Sequence, residues 1–241
     1  MPKRRLYIIM TSLVVAFNLS RCGFIAQAMT NPPQEGNSNM PSIILSLPQP
    51  SFESAISIEE ALLKRRSIRD YIEGALTLEE LSQLLWAAQG ITEPPFYKTS
   101  PSAGALYPLE IYIAAGNVKD LSAGIYHYQP EGHQISLILE GDKRKKLYES
   151  ALRQSSVREA PAVIIICGVY SRTTKRYHKR GIRYVHMEVG HTAQNICLQA
   201  VSLHLGAVVI GAFDDDDIKE VLFSHTTEEE PLYMIPIGRI H

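Results

Sequence analysis

The sequence is poor in cysteine and lacks the best-known nucleotide-binding and hydrolytic motifs. It holds three cysteines in 241 residues, too few for a disulfide framework. Neither GxGxxG between a strand and a helix nor GxxxxGK[ST] occurs, which argues against a Rossmann or P-loop nucleotide site. HExxH and GxSxG are missing as well, so neither a zincin-type metal site nor a serine nucleophile elbow is indicated.

The sequence also lacks an excess of charge of either sign. It has 24 lysines and arginines against 25 acidic residues, for a net charge of −1 at pH 7. Nucleic-acid-binding domains usually present a basic face, so nucleic acid is not an expected partner. Hydrophobic residues make up 45% of the chain, which is typical of one globular domain with an appendage at this length.

The N-terminus has the order of a secretory signal. Basic residues at 3–5 precede an apolar stretch at 6–19, and small residues at 26–28 offer a cleavage site. The apolar stretch is shorter than the roughly 20 residues that span a bilayer. We therefore predict that 1–28 is a signal peptide or an N-terminal anchor, and that the protein is exported (periplasmic or extracytoplasmic) or membrane-anchored. A misassigned start codon would make it cytoplasmic.

The rest of the chain divides into an arm and one domain. Residues 29–54 are rich in Pro, Asn, Ser and Gln and read as a linker or extended arm, whereas 55–241 carries periodic apolar patterns that begin near Ser57. Helical and strand patterns mix without regular βαβ alternation, which predicts an α+β fold. Two helices are predicted to begin at capping boxes, at Ser57 and Thr77. Three more are predicted over 142–154, over 184–205 and after 214–217. The predicted strands are 109–115, 125–128, 135–140, 162–168, 207–211 and 232–238. The helix over 184–205 is expected to be buried all round.

Four basic or hydroxyl side chains cluster at the end of the first predicted helix: Arg65, Arg66, Ser67 and Arg69. Guanidinium groups match phosphate oxygens in bidentate pairs, and a hydroxyl adds a donor. The same cluster would also suit a solvated helix C-terminus.

The stretch 99-TSPSAGALYP-108 contains a run of small residues, Ser102 to Ala105, before a predicted strand. Small residues let backbone groups approach a flat ligand, although Gly104 alone would also explain a tight turn. A second small pair, Gly211 and Ala212, ends the strand predicted at 207–211. The acidic run that follows is expected to cap the next helix.

Three residues of 186-HMEVGH-191 are of metal-ligating type: His186, Glu188 and His191. On a helix, the two histidines are about 500° apart and diverge, so no metal site is predicted. His191 is expected to be a buried, hydrogen-bonded residue.

Together these segments resemble the FMN-dependent nitroreductase superfamily, and in particular its SagB-type dehydrogenase branch, which includes the azoline oxidases of thiazole/oxazole peptide biosynthesis. The resemblance runs from about Ala55 to the end of the chain. The segments that carry it, in the family's order, are RRSIRDY (65–71), LLWAAQGIT (84–92), TSPSAGALYPLEIYIA (99–114), GIYHY (124–128), APAVIIICGVYSRTTKRY (160–177), RGIRYVHMEVGHTAQN (180–195), VVIGAFDDDDIKEVL (208–222) and PLYMIPIGR (231–239).

The resemblance implies a mainly antiparallel sheet flanked by helices, with the long helix 184–205 at a homodimer interface that holds FMN. It assigns the FMN phosphate to Arg65, Ser67 and Arg69, with Arg66 nearby and Arg239 joining them. It assigns the isoalloxazine ring to two segments: Pro101, Ser102, Ala103 and Gly104, and Ile210, Gly211 and Ala212.

The resemblance also implies that the flavin carries the chemistry, with NAD(P)H as reductant and ping-pong transfer to a small organic or modified-peptide substrate. The azoline oxidases add a Lys–Tyr pair. Here Tyr177 is present, but Arg176 separates it from Lys175, so these two are candidates for acid/base work and the azoline-oxidase role is in doubt. Membrane contact is expected only if the N-terminal segment is retained. The alternatives are a flavin-binding protein without turnover and a zinc-dependent hydrolase.

Overall fold

The structure, a computed structural model, describes residues 43–94, 97–223 and 227–241. The predicted leader and most of the predicted arm lie outside these residues. Within the described ranges, no helix has both the length and the hydrophobicity needed to cross a membrane. The helices are α1 (Ile58–Lys64), α2 (Leu78–Gln89), α3 (Arg144–Ser150), α4 (Ser155–Glu159), α5 (Tyr170–Tyr177), α6 (Lys179–Ser202) and α7 (Asp215–Leu222). The strands are β1 (Ile44–Ser46), β2 (Ile91–Glu93), β3 (Tyr97–Lys98), β4 (Leu109–Ala115), β5 (Gly124–Gln129), β6 (Gln134–Glu140), β7 (Ala162–Val169), β8 (Leu205–Ala207) and β9 (Glu229–Arg239).

Seven of the strands form one antiparallel sheet in the order β1-β6-β5-β4-β7-β9-β8, and β2 and β3 form a separate hairpin. The apolar strand β7 lies inside the sheet, pairs with β4 and β9, and is buried along its whole length. An uninterrupted apolar strand needs cover on both faces, and the helices provide it. The predicted α+β class with a mainly antiparallel sheet is therefore confirmed.

Alternate residues of the central strands point into two apolar layers. On one face, Ile111 and Ile113 of β4 belong to the cluster that includes side chains of α2 and α6. On the other face, Tyr112 and Ala114 belong to the cluster that includes side chains of α3, α4 and α7. The sheet thus separates two helical layers, and α6 runs along only one of them.

The predicted caps are present with one difference. At α2, Glu80 N donates to Thr77 Oγ1 (3.2 Å) and Thr77 N donates to Glu80 Oε2 (2.8 Å), a complete capping box. At α1, the Ser57 hydroxyl accepts from Glu60 N, but the Glu60 carboxylate pairs with Lys64 instead of closing the box. Asp214 caps α7, as the acidic run predicted.

Three predicted boundaries were wrong. Of the helix predicted over 142–154, only Arg144–Ser150 (α3) is helical; Leu152 and Arg153 adopt positive φ beyond its end, and the next helix, α4, begins at Ser155. The strand predicted at 207–211 ends at Ala207, and beyond it a single bridge joins Ile210 to Met234. Ordered structure also begins before Ser57, since β1 pairs with β6 in the sheet.

Within one chain, the long helix is not buried all round. α6 buries one face, which includes Val185, and exposes Ile182 and Met187 at 44% and 52%. His191 is exposed rather than buried. A straight helix that crosses one face of a sheet presents only one side to it, so the other side of α6 has no cover within the described chain.

Candidate active site

The predicted phosphate-binding segment lies between the end of α1 and strand β8. Ser67 forms a parallel bridge with Ala207, and Ile68 N donates to Ala207 O at 3.0 Å. The Arg66 guanidinium donates to the carbonyls of Leu63 (2.9 Å) and Arg65 (2.7 Å), and so caps the end of α1. Ser67 and Arg69 are exposed. The segment therefore presents a hydroxyl and arginine side chains to solvent, with Arg66 partly engaged.

A small cavity adjoins this segment. Its volume is about 110 Å³ and its lining includes Lys64, Arg66, Cys197, Val201, His204 and Ala207. The positive charge of Arg65 acts on the nearby Cys197 thiol, although burial is the larger influence and raises the pKa of that thiol. Basic groups at the mouth and apolar groups behind them suit an anion attached to a less polar body.

Arg239 is already held by other groups. Its Nη1 and Nη2 donate to the two carboxylate oxygens of Glu80 at 2.6 and 2.7 Å, and its Nε and Nη2 donate to Ala75 O at 3.1 and 2.9 Å. A guanidinium has five N–H donors, so within the described contacts one donor remains for a ligand. The predicted contact between Arg239 and phosphate stays a prediction.

The predicted ring-binding loop has an unusual backbone. Gly104, Ala105 and Tyr107 all have positive φ, at 65°, 53° and 44°. The loop is closed by two hydrogen bonds, from Ala105 N to Ser102 O (3.1 Å) and from Tyr107 N to Ser102 Oγ (2.9 Å). Non-glycine residues rarely adopt such φ values, and the strain they carry is often found at ligand-binding sites.

Gly104 also allows a close approach by α5. A Cβ atom at this position would lie 2.7 Å from Tyr177 Oη and 3.0 Å from Arg176 Nη1. The need for glycine here is therefore more than a need for a tight turn. The structure brings Tyr177 to the loop, as the predicted acid/base role requires. Lys175 is exposed, and the atoms nearest to Gly104 belong to its two neighbours.

Tyr177 sits at the end of α5 between two other side chains. Its ring packs edge-on against Tyr184, with centroids 5.1 Å apart, and the Arg176 guanidinium lies over it at 5.4 Å. The aromatic contact fixes the ring, and the cation adds an electrostatic attraction to its face.

The third predicted segment, 210–212, adjoins β9, whereas the loop 101–104 precedes β4; β9 and β4 pair with β7 on its two sides. Ile210 and Met234 exchange two backbone hydrogen bonds of 2.8 and 2.9 Å, which attach the segment to β9. Gly211 and Ala212 are exposed. Ala212 O accepts from Gln154 Nε2 at 3.1 Å.

Within one chain, the loop 101–104 and the arginine-rich segment 65–69 lie apart from each other. The loop 101–104 meets α6 at Glu188, whereas the arginine-rich segment shares its small cavity with Val201. These two helix positions are 13 residues apart, about 20 Å along the axis. Within the described residues, no hydrogen bond or strand bridge connects 101–104 with 65–69 or 210–212.

A buried polar network behind the loop was missed by sequence reasoning. Gln89, Ser100 and Thr192 are at most 1% exposed and are joined by hydrogen bonds, and Asn195 donates to Ser100 Oγ and Thr99 O. Glu188 adjoins this network. The network could have been predicted from the spacing of the polar residues at 188, 192 and 195, because this spacing places them on one helix face.

A second cluster lies in a polar cavity of about 300 Å³ between α2, β4, β5 and α5. Glu110 Oε2 accepts from His127 Nε2 at 2.7 Å, and the carboxylate pairs with Arg172. Burial opposes ionisation of Glu110, but its contacts with His127 and Arg172 outweigh burial and lower the pKa. Within the described chain there is no group of three or more potential metal ligands.

Comparisons with known proteins identify the family and the fold. The model of the family described as "Nitroreductase family" matches residues 62–239. A nitroreductase of Methanocaldococcus jannaschii is 50% identical over 184 residues, which cover 76% of this chain and 91% of that protein. The crystal structure of a nitroreductase from Anabaena variabilis superposes with a TM-score of 0.70 at 32% identity, covering 83% of this chain but 42% of that one. This chain therefore spans less than half of that protein.

A more distant relative has a different named role. The microcin B17-processing protein McbC of Escherichia coli is 25% identical over 205 residues, which cover 80% of this chain and 75% of McbC.

Proposed function

The chain belongs to the nitroreductase family, and on that basis we propose that it is an FMN-dependent oxidoreductase that takes reducing equivalents from NAD(P)H. The observation that carries the proposal is that the family match over 62–239 contains every segment predicted to bind FMN. The proposed branch is the SagB-type dehydrogenases, on the resemblance of the motifs.

The described residues fit FMN in chemical type. Arg65, Ser67 and Arg69 would hold the phosphate through charge-assisted and hydroxyl hydrogen bonds, and Arg239 could add its one remaining donor. The loop 101–104 would lie against the ring, since Gly104 and its neighbours leave no bulky side chain in the way. The exposed backbone of 210–212 offers further polar groups.

When bound, FMN would supply hydride transfer from the nicotinamide to an acceptor in ping-pong order. The chain would position the ring, exclude water and hold protons. Tyr177 is the proposed proton donor, because its hydroxyl is the side-chain group closest to Gly104. Lys175 is the weaker candidate, because the atoms nearest to Gly104 belong to Tyr177 and Arg176 and not to Lys175. Arg176 does not replace it as a proton donor, because an arginine keeps its proton.

We further propose that the active unit is a homodimer. The two groups of predicted site residues lie far apart along α6, so a second copy could supply the group that the first lacks. Both helices carry exposed apolar side chains that could contribute to this contact: Ile58, Leu62 and Leu63 of α1, and Ile182 and Met187 of α6. Exposed apolar side chains on two adjacent helices are typical of protein interfaces.

The proposed acceptor is a small organic molecule, with a modified peptide as the second candidate. McbC, named for processing microcin B17, is a distant relative at 25% identity. The relative with 50% identity is named as a nitroreductase. The interruption of the Lys–Tyr pair by Arg176 also favours a small molecule. Export or membrane anchoring remains a prediction from the leader pattern.

The test uses the full chain, purified and reconstituted with FMN. We expect a two-band flavin spectrum in the visible range that bleaches when NADH or NADPH is added without oxygen, and that recovers when a nitroaromatic or quinone acceptor follows. The matched variants are R65M, in the proposed phosphate site, and R158M, an exposed arginine of α4 that should behave as wild type.

Three outcomes separate the alternatives. Bleaching and recovery support the oxidoreductase. A flavin spectrum that no nicotinamide bleaches supports a binding protein without turnover. A colourless protein that does not take up FMN overturns the cofactor assignment.

A further inference from the structure

Two buried oxygen atoms behind the loop 101–104 have no hydrogen-bond partner. They are Gln89 Oε1 and Glu188 Oε1, on side chains that are 1% and 2% exposed. An unpaired buried polar atom costs free energy, so two such atoms on neighbouring side chains need an explanation.

The neighbouring donors are already engaged. Gln89 Nε2 donates to Thr192 Oγ1 (3.1 Å), Thr192 Oγ1 to Ser100 Oγ (3.0 Å), and Ser100 Oγ to Ala88 O (2.9 Å). Asn195 Nδ2 donates to the same Ser100 oxygen at 3.1 Å. A proton carried by Glu188 would satisfy Gln89 Oε1, because a neutral carboxylic acid is a donor and the two side chains are neighbours.

The surroundings of Glu188 favour the neutral form. Burial raises the pKa of this carboxyl to about 7, and the Ser102 hydroxyl, the positive charge of Lys98 and the Gln89 amide oppose the rise without cancelling it. Of the groups that act on it, those from α2 and from the loop are neutral. Lys98, on β3, is the charged one, and burial lowers the pKa of Lys98 in turn.

Glu188 also reaches the proposed flavin loop. The Ser102 hydroxyl lies alongside its carboxyl and at the same time accepts from Tyr107 N at 2.9 Å, the bond that closes the loop. A hydroxyl donates and accepts at once, so Ser102 can donate to the Glu188 carboxyl while its oxygen holds Tyr107 N. The charge of Glu188 therefore acts directly on the residue that closes the loop, and also on the orientation of the Gln89 amide.

We propose that Glu188 is a positioning residue, held as a neutral acid that donates to Gln89 Oε1 and supports Ser102, so that its protonation state sets the conformation of the loop 101–104. This inference rests on the proposed function, because it assigns the loop to the flavin. Loss of the proton would leave a buried charge, draw the Gln89 amide hydrogens toward Glu188 and break the chain through Thr192.

The proposal is tested on the full chain with two variants of Glu188. E188Q keeps the shape and the ability to donate at every pH, whereas E188A removes both. E131Q is the matched control, because Glu131 is exposed and acts on the same Lys98. FMN dissociation constants, from quenching of flavin fluorescence, and urea unfolding of the FMN-free protein are measured at about pH 6 and about pH 8.5, on either side of the expected transition.

We expect wild type and E131Q to bind FMN at least about fivefold more weakly at the higher pH, and E188Q to show no such change. E188A should bind weakly at both pH values. K98M should move the transition to higher pH, because the Lys98 charge favours the ionised carboxyl.

The unfolding measurement separates this inference from the proposed function. If no variant binds FMN, the cofactor assignment fails, but a wild-type stability that falls with pH while that of E188Q does not would still support a neutral Glu188. The inference is overturned if wild type and E188Q share one pH profile in both measurements.

Discussion

Glu80 links the start of α2 to the end of β9, and removing it should destabilise the protein measurably. Its Oε2 and its backbone N complete the capping box with Thr77, and its two carboxylate oxygens accept from Arg239 at 2.6 and 2.7 Å. The side chains of the ion pair are 17% and 28% exposed. Because they are largely shielded from water, the pair should contribute more than an exposed one.

The expected magnitude follows from these contacts. Loss of a helix cap costs about 1 kcal/mol. Hydrogen bonds to a charged group contribute about 1.5–3 kcal/mol. We therefore expect E80A to lower the free energy of unfolding by about 3 kcal/mol. E80Q can still close the capping box and should lose only about half as much, since it keeps the cap and gives up the charge.

The assay is urea unfolding of the FMN-free full chain, followed by circular dichroism. E79A is the matched control, because Glu79 is the exposed carboxylate one position earlier in the same helical turn and should cost at most about 0.5 kcal/mol. A double-mutant cycle with R239M isolates the pair. The reasoning is refuted if E80A and E79A are equally stable, or if the effects of E80A and R239M simply add.

The same variants address the predicted phosphate contact. In E80Q the guanidinium is released from a full negative charge, so FMN should bind as tightly as to wild type or more tightly. R239M should bind it more weakly if Arg239 reaches the phosphate. A loss of stability in R239M with unchanged FMN affinity would show that Arg239 acts only as a structural clamp.

Other predictions concern the loop, the phosphate segment and pH. G104A should cost about 1–2 kcal/mol of stability from its positive φ, and a further loss should come from the clash of the added Cβ with Tyr177 Oη, 2.7 Å away. A Y177F background should relieve the clash alone and so show a smaller loss; equal losses in both backgrounds would contradict the contact. Y177F alone should lower kcat by about a hundredfold with little effect on FMN affinity if the hydroxyl transfers a proton. R65M should weaken FMN binding about tenfold or more, with R158M as control; equal affinities would remove Arg65 from the phosphate site. The pKa of Glu188 rises from 4.5 to about 7 on folding, so the neutral form is favoured in the folded state and stability is lost as pH rises through that window. The loss should be about 3 kcal/mol between about pH 4.5 and about pH 8, measured by urea unfolding, and E188Q should not show it.

The features that were predictable from the sequence are the ones that short segments determine. The strand β7 was predictable from its uninterrupted apolar run, and the capping box at Thr77 from two residues three positions apart. The loop 101–104 was recognisable from its small residues. Its contact with Tyr177 was not, because the two segments are more than 70 residues apart in the chain and meet only through the fold.

The error on α6 has a specific physical origin. The sequence between 184 and 205 mixes apolar and polar residues, and the general rule places the apolar ones inside. In the structure, Met187 is exposed while the adjacent Glu188 and the nearby Thr192 are buried. An exposed apolar residue and buried polar residues on the same helix both run against that rule, so an argument from hydrophobicity alone gives the wrong burial pattern.

These exceptions suggest what constrains the sequence of α6. The sheet core needs only apolar contacts from this helix, and Val185 and Ile196 provide them. Glu188, Thr192 and Asn195 instead face the segment that leads into the candidate flavin loop, where Thr192 and Asn195 form hydrogen bonds. Met187, about 100° around the helix from Glu188, is exposed within one chain. Both features are what the proposed roles would require: buried polar side chains that support the loop, and an exposed apolar side chain that contacts a second copy.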